Sequence, residues 1–252
     1  MKLHRLFTAA LFAISATCAL RISNAAPVTP YTEEYTSDAQ DWINGKSLAL
    51  ATWESSGGPD SSSYISATMN TSTNITGQSR IVFRGNTTAI PELHASDDKF
   101  YGDWIAGGIN HFSFWAYHEA PVALPYFVRI ATAGNSPAVA LVDGTLVQPN
   151  TWTKLDYVID PIFLGSTITA ESGPGQELAT YNQVFGLVER IQIGFNVPAA
   201  MSSNGNPTAA GTTFTYALDK VAVYTGAIPE PSTACLLLGS AGLVVVRRRR
   251  SA

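Results

Sequence analysis

Side chains suited to acid–base or metal chemistry are few in residues 26–228 and lack the usual spacings. Histidines stand in this segment at positions 94, 111 and 118, and none forms the HExxH pattern of a zinc site. No Gly-x-Ser-x-Gly sequence supplies a strained nucleophilic serine. His118 and Glu119 are adjacent, but adjacent residues on a strand point to opposite faces. We therefore expect no enzymatic activity and no organic cofactor.

A glycine-rich stretch concentrates three acidic residues, Asp97, Asp98 and Asp103. Carboxylate oxygens bind hard cations, and they also accept hydrogen bonds from sugar hydroxyls. The alternative interpretation is a solvated acidic loop. A glycosidase needs two carboxylates at a set separation, and a sequence does not show that separation.

Aromatic residues indicate binding rather than catalysis. In the stretch His111–His118, Phe112 and Phe114 fall on one face of a strand, while Trp115 and Tyr117 fall on the other. Either both faces of this strand are covered, or Trp115 and Tyr117 form an exposed platform on which a sugar ring stacks. Trp104 is a third candidate for such a ligand-binding surface.

The elements that must position these residues are β-strands. Short runs rich in Val, Ile, Phe, Tyr and Thr are separated by clusters of Gly, Pro, Asn and Ser, which is typical of an all-β sandwich or barrel. No helical pattern of any length is evident in residues 26–228. The predicted strands are Ser47–Trp53, Tyr64–Met69, Ser79–Arg84, His111–His118, Tyr126–Thr132, Ala138–Val142, Trp152–Ile159, Arg190–Asn196 and Phe214–Tyr224.

Charge divides the chain into three segments. The 252 residues are 13% charged, with a net charge of −4, whereas a soluble domain carries about 25% charged residues. Residues 1–25 and 229–252 each carry +3, and residues 26–228 carry −10. The composition is too apolar for a disordered chain, and the weak net charge gives no indication of a nucleic-acid partner. The two cysteines, Cys18 and Cys235, lie outside the central segment.

Residues 1–25 have the pattern of a secretory signal peptide. Lys2, His4 and Arg5 form a basic start, and an apolar run covers residues 6–20. Small residues then favour cleavage by signal peptidase after Ala25. The alternative is a buried N-terminal helix. We expect the segment after Ala25 to leave the cytoplasm.

The C-terminal segment, 229–252, combines three features in a fixed order. Pro229-Glu230-Pro231 precedes an uncharged apolar run at 232–246, and the arginines Arg247, Arg248, Arg249 and Arg250 follow. Fifteen helical residues span roughly 22 Å, which is short of the bilayer core of about 30 Å. Flanking arginines mark the cytoplasmic side of a membrane segment. The run therefore predicts a short transmembrane helix, with Pro-Glu-Pro extended just outside the membrane.

This order of features resembles the PEP-CTERM sorting signal of bacteria. The resemblance covers residues 229–250 and implies processing by exosortase, an integral membrane cysteine transpeptidase. It assigns sorting and processing to the Pro-Glu-Pro sequence and the arginine cluster. The alternative is an ordinary tail anchor, in which Pro-Glu-Pro is accidental.

The central segment, 26–228, resembles laminin-B-like and galactose-binding-like jelly-roll β-sandwiches. The stretch 99–109 with the following strand is similar to the former, and TSDAQDW (36–42) and LDKVAVY (218–224) are similar to the first and last strands of the latter. The resemblance implies a structural calcium ion, for which Glu34, Asp38 and Asp219 are the candidate ligands. Alternatively, Asp219 is a solvated strand residue.

We expect a single jelly-roll-like antiparallel β-sandwich between a signal helix and a transmembrane helix. The tail holds the chain at the inner membrane until exosortase processes it, after which it belongs to the cell surface or extracellular matrix. The sandwich binds carbohydrate or assembles in extracellular polysaccharide. The alternatives are a structural adhesin without a small ligand and a glycan-active hydrolase.

Overall fold

Alternating apolar and polar residues build two antiparallel β-sheets. The computed structural model describes residues 25–70, 80–85, 94–160, 168–171, 177–198, 201 and 213–227. The strands in these residues are β1 (Tyr31–Glu33), β2 (Ile43–Asn44), β3 (Thr52–Glu54), β4 (Tyr64–Asn70), β5 (Arg80–Arg84), β6 (His111–His118), β7 (Leu124–Ala131), β8 (Ala138–Leu141), β9 (Leu146–Val147), β10 (Thr153–Val158), β11 (Ile168–Ala170), β12 (Arg190–Asn196) and β13 (Thr213–Tyr224). A nine-residue helix, α1, covers Glu177–Phe185.

Sheet I is organised around the long strand β13. Its strand order is β10-β6-β13-β4-β3, and β1 also pairs with β13. The first half of β13 pairs with β4 and the second half with β1, while β6 lies along the other side. A bulge between Asp219 and Ala222 separates the two halves. Hydrogen-bonded strand pairing in sheet I is therefore continuous from β10 to β3.

Sheet II has the order β11-β8-β7-β12-β5-β2, with β9 beside β7. Its central strand β12 pairs with β7 on one side and β5 on the other. In β12, Ile191, Ile193 and Phe195 are fully buried, while Arg190 and Gln192 are part-exposed. The alternation predicted for this strand is confirmed.

The inner faces of the two sheets pack against each other. Phe83 of β5 lies 4.7 Å, between ring centroids, from Tyr216 of β13, and Phe195 of β12 lies 6.1 Å from Phe214. Burying one large apolar side chain stabilises a fold by about 1.5–3 kcal/mol. The shared aromatic interior therefore makes the two sheets a sandwich.

Two local predictions are wrong. The predicted strand 47–53 is a strand only at Thr52–Glu54, because Leu48 has a φ of +60° and Asn44 Oδ1 accepts a hydrogen bond from the backbone N–H of Lys46. These features make a tight turn. The prediction of no helix fails at α1, whose buried Val184 and Phe185 mark one side of a helix too short to show a clear period.

The described residues contain no helix long and apolar enough to cross a membrane. The predicted signal segment, up to residue 24, and the predicted transmembrane helix at 232–246 lie outside the described residues.

Candidate functional site

The outward side of sheet I carries half-buried aromatic side chains. Along β6, Phe112 and Phe114 are fully buried in the core, so Trp115 and Tyr117 point to the other side. Both are part-exposed. The alternation predicted for this strand is confirmed, and its outward rings are not covered by a further layer of the described residues.

Tyr64, Tyr117 and Trp152 together form the aromatic cluster. The ring of Trp152 lies 5.4 Å from that of Tyr117 at an interplanar angle of 37°. It lies 5.3 Å from the ring of Tyr64, in edge-to-face contact. All three residues are part-exposed. The cluster joins β4 and β6 to the residue that precedes β10.

Strand register explains why these rings meet. Ala217 of β13 lies opposite Tyr117 of β6 on one side and opposite Ser66 of β4 on the other. Ala217 and Ser66 are small and buried, so no large side chain stands on the sheet surface between Tyr64 and Tyr117. The indole of Trp152 fills the space above it.

Hydrogen bonds fix two of the three rings. The Trp152 indole N–H donates to the carbonyl oxygen of Gly57 at 2.9 Å, and the Tyr117 hydroxyl donates to Asn150 Oδ1 at 3.3 Å. Gly57 has a φ of +105°, which favours glycine. The partners come from the loop 55–63 and from the residues that lead into β10, so loops rather than strands orient the cluster.

The two tyrosines of the cluster remain protonated at neutral pH. Burial, and then the negative charges of Glu54 and Glu119, raise the pKa of Tyr64. Burial and Glu119 likewise raise the pKa of Tyr117. Each phenol therefore keeps an O–H donor beside its apolar ring, a combination suited to a ligand with both apolar faces and hydroxyl groups.

The loop 55–63 also covers the carboxylate of Asp219. The Ser62 hydroxyl donates to Asp219 Oδ2, and the backbone N–H of Lys220 donates to Oδ1 at 2.6 Å. Burial raises the pKa of Asp219, although these two hydrogen bonds oppose the shift. A Cβ atom at Gly58 would lie 2.8 Å from Asp219 Oδ2. The absence of a side chain at Gly58 therefore lets the loop lie close to the sheet.

A second polar group lies at the other end of β6. His111 Nδ1 is 3.1 Å from Asp156 Oδ1, and the Tyr224 hydroxyl donates to Asp156 Oδ2. The rings of His111 and Tyr224 stack at 4.8 Å. Burial and the bond to Asp156 raise the pKa of Tyr224. Asp156 is thus engaged by two neighbours.

Of the predicted ligand-binding residues, Trp115 and Tyr117 share one outward face, and Trp104 does not. Trp104 is fully buried, stacks on Phe112 at 6.0 Å and donates its indole N–H to the carbonyl oxygen of Phe100 at 2.8 Å. The prediction for Trp104 is wrong, because a tryptophan with a satisfied N–H is a favourable core residue.

The predicted calcium ligands do not form a site. Asp38 Oδ1 accepts hydrogen bonds from Gln40, Glu34 is exposed, and Asp219 is fully buried under Ser62. Within the part of the chain that the structure describes, no group of three or more His, Cys, Asp or Glu side chains is placed to hold a metal ion. Calcium takes 6–8 oxygen ligands, and these three side chains do not form a cluster that supplies them.

Of the other acidic candidates, Asp97 is exposed, whereas Asp98 and Asp103 form local contacts. Asp98 contacts His94 Nδ1, and Asp103 Oδ1 accepts a hydrogen bond from the backbone N–H of Ala106 at 2.8 Å. His118 points into the core, whereas Glu119 is exposed, so the two side chains point to opposite sides as predicted.

The sequence did not single out Tyr64 or Trp152. Each stands at the start of a predicted strand, at a position that the alternation of side chains places on the outward face. This position is the only indication of their role in the sequence. Their proximity depends on the pairing of four strands that are distant in sequence. The sorting residues Pro229 to Pro231 and Arg247 to Arg250 lie outside the described residues.

Comparison with known proteins identifies the tail. Residues 227–250 match the family model of the PEP-CTERM protein-sorting motif. This motif implies export, membrane anchoring before processing, and an exosortase as processing partner. No curated protein matches the sequence.

Three solved structures resemble the chain. It is similar to the L4b domain of human laminin alpha-2, with a TM-score of 0.44 and 7% identity, over 80% of this chain and 99% of that one. It is similar to a protein from Bacteroides thetaiotaomicron assigned to sugar binding, with a TM-score of 0.38 and 14% identity, over 79% and 95%. It is also similar to the K1 cleaved adhesin domain of Lys-gingipain from Porphyromonas gingivalis, with a TM-score of 0.28 and 12% identity, over 82% and 96%.

Proposed function

We propose that this chain is an exported surface protein whose sheet I binds carbohydrate through the aromatic cluster, without catalysis. The observation that carries the proposal is the contact of Trp152 with both Tyr64 and Tyr117 on the outward side of the sheet. The two sheets then belong to one jelly-roll-like domain over residues 26–228.

Sugar rings present apolar C–H faces edged by hydroxyl groups, and the aromatic cluster offers matching chemistry. Its rings are part-exposed, so they keep surface for a ligand. Asn150, which accepts a hydrogen bond from Tyr117, is exposed, and so are Thr68 and Lys154 on the neighbouring strands β4 and β10. A few placed polar groups beside an apolar surface are typical of ligand sites.

A binding role fits the carboxylates near the cluster better than hydrolysis does. A glycosidase uses one carboxyl group as a proton donor and a second as base or nucleophile. Near the aromatic cluster, Asp219 is covered by Ser62, and Glu54 accepts a hydrogen bond from the Ser66 hydroxyl. Glu119 accepts a hydrogen bond from the backbone N–H of Thr215. Each of these three carboxylates is therefore held by a donor of the protein itself.

The tail supplies the destination. The sorting motif at 227–250 supports release of the C-terminal segment by exosortase after anchoring in the inner membrane. The processed chain then resides at the cell surface or in the extracellular matrix, where polysaccharide is the abundant polymer. Signal peptidase removes the first 25 residues.

A glycan array probed with the full chain in detergent tests the proposal. We expect binding to a defined set of glycans, and loss of that binding in Trp152→Ala. Absence of binding to every glycan favours a structural adhesin and contradicts the proposal. Turnover of a bound glycan contradicts its non-catalytic part.

A further inference from the structure

Every arginine between residues 26 and 228 lies on the outward side of sheet II. These are Arg80 and Arg84 on β5, Arg129 on β7 and Arg190 on β12. Inward positions on the same strands, such as Ile81, Phe83 and Ile191, are fully buried. The central segment carries a net charge of −10, yet all four of its arginines lie on this one face of sheet II.

Two of the four arginines have partners among the residues that the structure describes. Arg129 donates to both carboxylate oxygens of Glu171, with distances of 2.7–2.9 Å, and also to Asn135. Arg80 lies 3.3 Å from Glu171 and over the ring of Phe127. A bidentate guanidinium–carboxylate pair is a strong, specific contact, so these two side chains are held in place.

Arg84 and Arg190 are different. Gln192 lies opposite both Arg84 and Arg129 in the sheet, and Arg190 stands two residues from Gln192 on the same face. Among the described residues, neither Arg84 nor Arg190 forms an ion pair, and the shielded Nε atom of each has no hydrogen-bond partner. A donor left unpaired in such a place costs free energy.

The surroundings of these two arginines are electropositive. Burial, and then the charges of Arg190 and Arg129, lower the pKa of Arg84. Burial and Arg129 lower the pKa of Arg190, although Glu189 opposes this shift. An anion bound between the two side chains would relieve the repulsion that these neighbours create.

We propose that Arg84, Arg190 and Gln192 form a site for the carboxylate or sulfate groups of an anionic polysaccharide. A guanidinium group binds a planar oxyanion through two parallel N–H donors, and the Gln192 amide adds a further donor. The sorting motif directs the chain out of the cytoplasm, where such polymers are met. The site is on the opposite sheet from the aromatic cluster and does not depend on it.

Binding of the full chain in detergent to polygalacturonate, dextran sulfate and neutral dextran tests the site and separates the two acidic groups. We expect the Kd for the preferred polyanion to rise about tenfold or more in the double variant Arg84→Gln/Arg190→Gln, because charge-assisted hydrogen bonds are lost. The single variants Arg84→Gln and Arg190→Gln are compared with Arg80→Gln as the control, since each of the three removes one positive charge from the same face, and Arg80→Gln is expected to weaken binding least. Its Kd is expected to change by less than about threefold.

An equal loss in Arg80→Gln overturns the proposal, because the binding would then reflect diffuse charge. The proposal is also overturned if the unaltered chain binds neither polyanion. It is overturned as well if the double variant loses binding to neutral dextran, because that loss would not depend on an acidic group. If the double variant does not fold, the unaltered chain labelled with 15N-arginine decides the question. Its Arg84 and Arg190 Nε–H signals are expected to shift with the polyanion while that of Arg80 stays in place, and the reverse pattern overturns the assignment.

Discussion

The indole N–H of Trp152 donates a hydrogen bond to the carbonyl oxygen of Gly57 at 2.9 Å. This bond joins the residue before β10 to the loop 55–63, two parts of the chain that are 95 residues apart. The same loop covers Asp219 through Ser62. One loop therefore both shields a buried carboxylate and orients the central ring of the aromatic cluster.

If the aromatic cluster binds glycans, replacing Trp152 should weaken glycan binding, whereas replacing Trp53 should not. In Trp152→Ala, we expect the Kd for a glycan found on the array to rise about tenfold, equivalent to about 1.4 kcal/mol, because the central stacking surface is removed. Isothermal titration calorimetry on the full chain in detergent measures the change.

Trp53→Ala is the control for this measurement. Trp53 is 36% exposed and donates its indole N–H to the carbonyl oxygen of Tyr35, but it lies on the edge strand β3 outside the cluster. We expect its Kd to remain unchanged. Similar losses in both variants would argue against the cluster as the binding surface.

Gly194 predicts a strong steric effect in sheet II. A Cβ atom at this position would lie 1.9 Å from the carbonyl oxygen of Ile81 on the adjacent strand. Gly194→Ala must therefore move β12 away from β5, and we expect the free energy of unfolding to fall by about 1–3 kcal/mol. Urea denaturation followed by tryptophan fluorescence measures it.

Gly134→Ala is the matched substitution. Gly134 is exposed between β7 and β8, and an added Cβ would meet its nearest atom at 3.4 Å. We expect little change in stability. If Gly194→Ala unfolds at the same urea concentration as Gly134→Ala, the close approach of the two strands is refuted.

His118 predicts a loss of stability in mild acid. Its Nε2 lies 2.9 Å from the carbonyl oxygen of Val147, and its Nδ1 accepts a hydrogen bond from the backbone N–H of Ala120 at 3.1 Å. These partners require the neutral ring protonated on Nε2. Burial lowers the pKa of His118, although the bond to Val147 opposes the shift.

Because the folded chain holds this proton less tightly than the unfolded chain, the contribution of His118 is complete above the unfolded pKa of about 6.5. It decreases as the pH falls from there towards the lower folded pKa, by at most about 1.4 kcal/mol per pH unit for one proton. Urea unfolding between pH 7.5 and 5 measures the slope. His118→Gln should flatten it, whereas His94→Gln should not, and equal slopes in all three proteins would contradict the assignment.

The sorting motif predicts the mass of the mature chain. In the native host, we expect the surface form to lack the residues after about Pro231, if exosortase processes the chain at Pro-Glu-Pro as proposed. Replacing Pro229, Glu230 and Pro231 by alanine should leave the intact chain in the membrane fraction, whereas Ser251→Ala, outside the matched residues, should be processed normally. A surface form that retains Arg247 to Arg250 in mass spectrometry would contradict processing.

Much of the fold is predictable from local pattern. Strand β6 was predicted with its observed bounds and with the observed facing of Phe112 and Trp115, because alternation has a period of two residues. The pattern failed at Leu48, where a positive φ makes a turn inside an apolar run. It failed again at α1, where nine residues are too few to show a helical period.

The candidate site was only partly predictable, and Trp104 shows why. Trp104 and Trp115 are both tryptophans near the same glycine-rich stretch, yet one is fully buried and the other part-exposed. The difference arises because Trp104 packs against Phe112 and Phe185. The sequence does not show which of the two tryptophans makes such contacts.

The sequence by itself determined the sorting signal and the β-strand composition, because both are written in consecutive residues: the order Pro-Glu-Pro, apolar run and arginines, and the alternation of side chains along a strand. Only the tertiary structure decided which side chains act together. Trp152 meets Tyr64 and Tyr117, and Arg84 lies opposite Gln192 on the face that also carries Arg190, through the register of strands that are remote in sequence. Register depends on the packing of both sheets together, so no local stretch of the chain contains it.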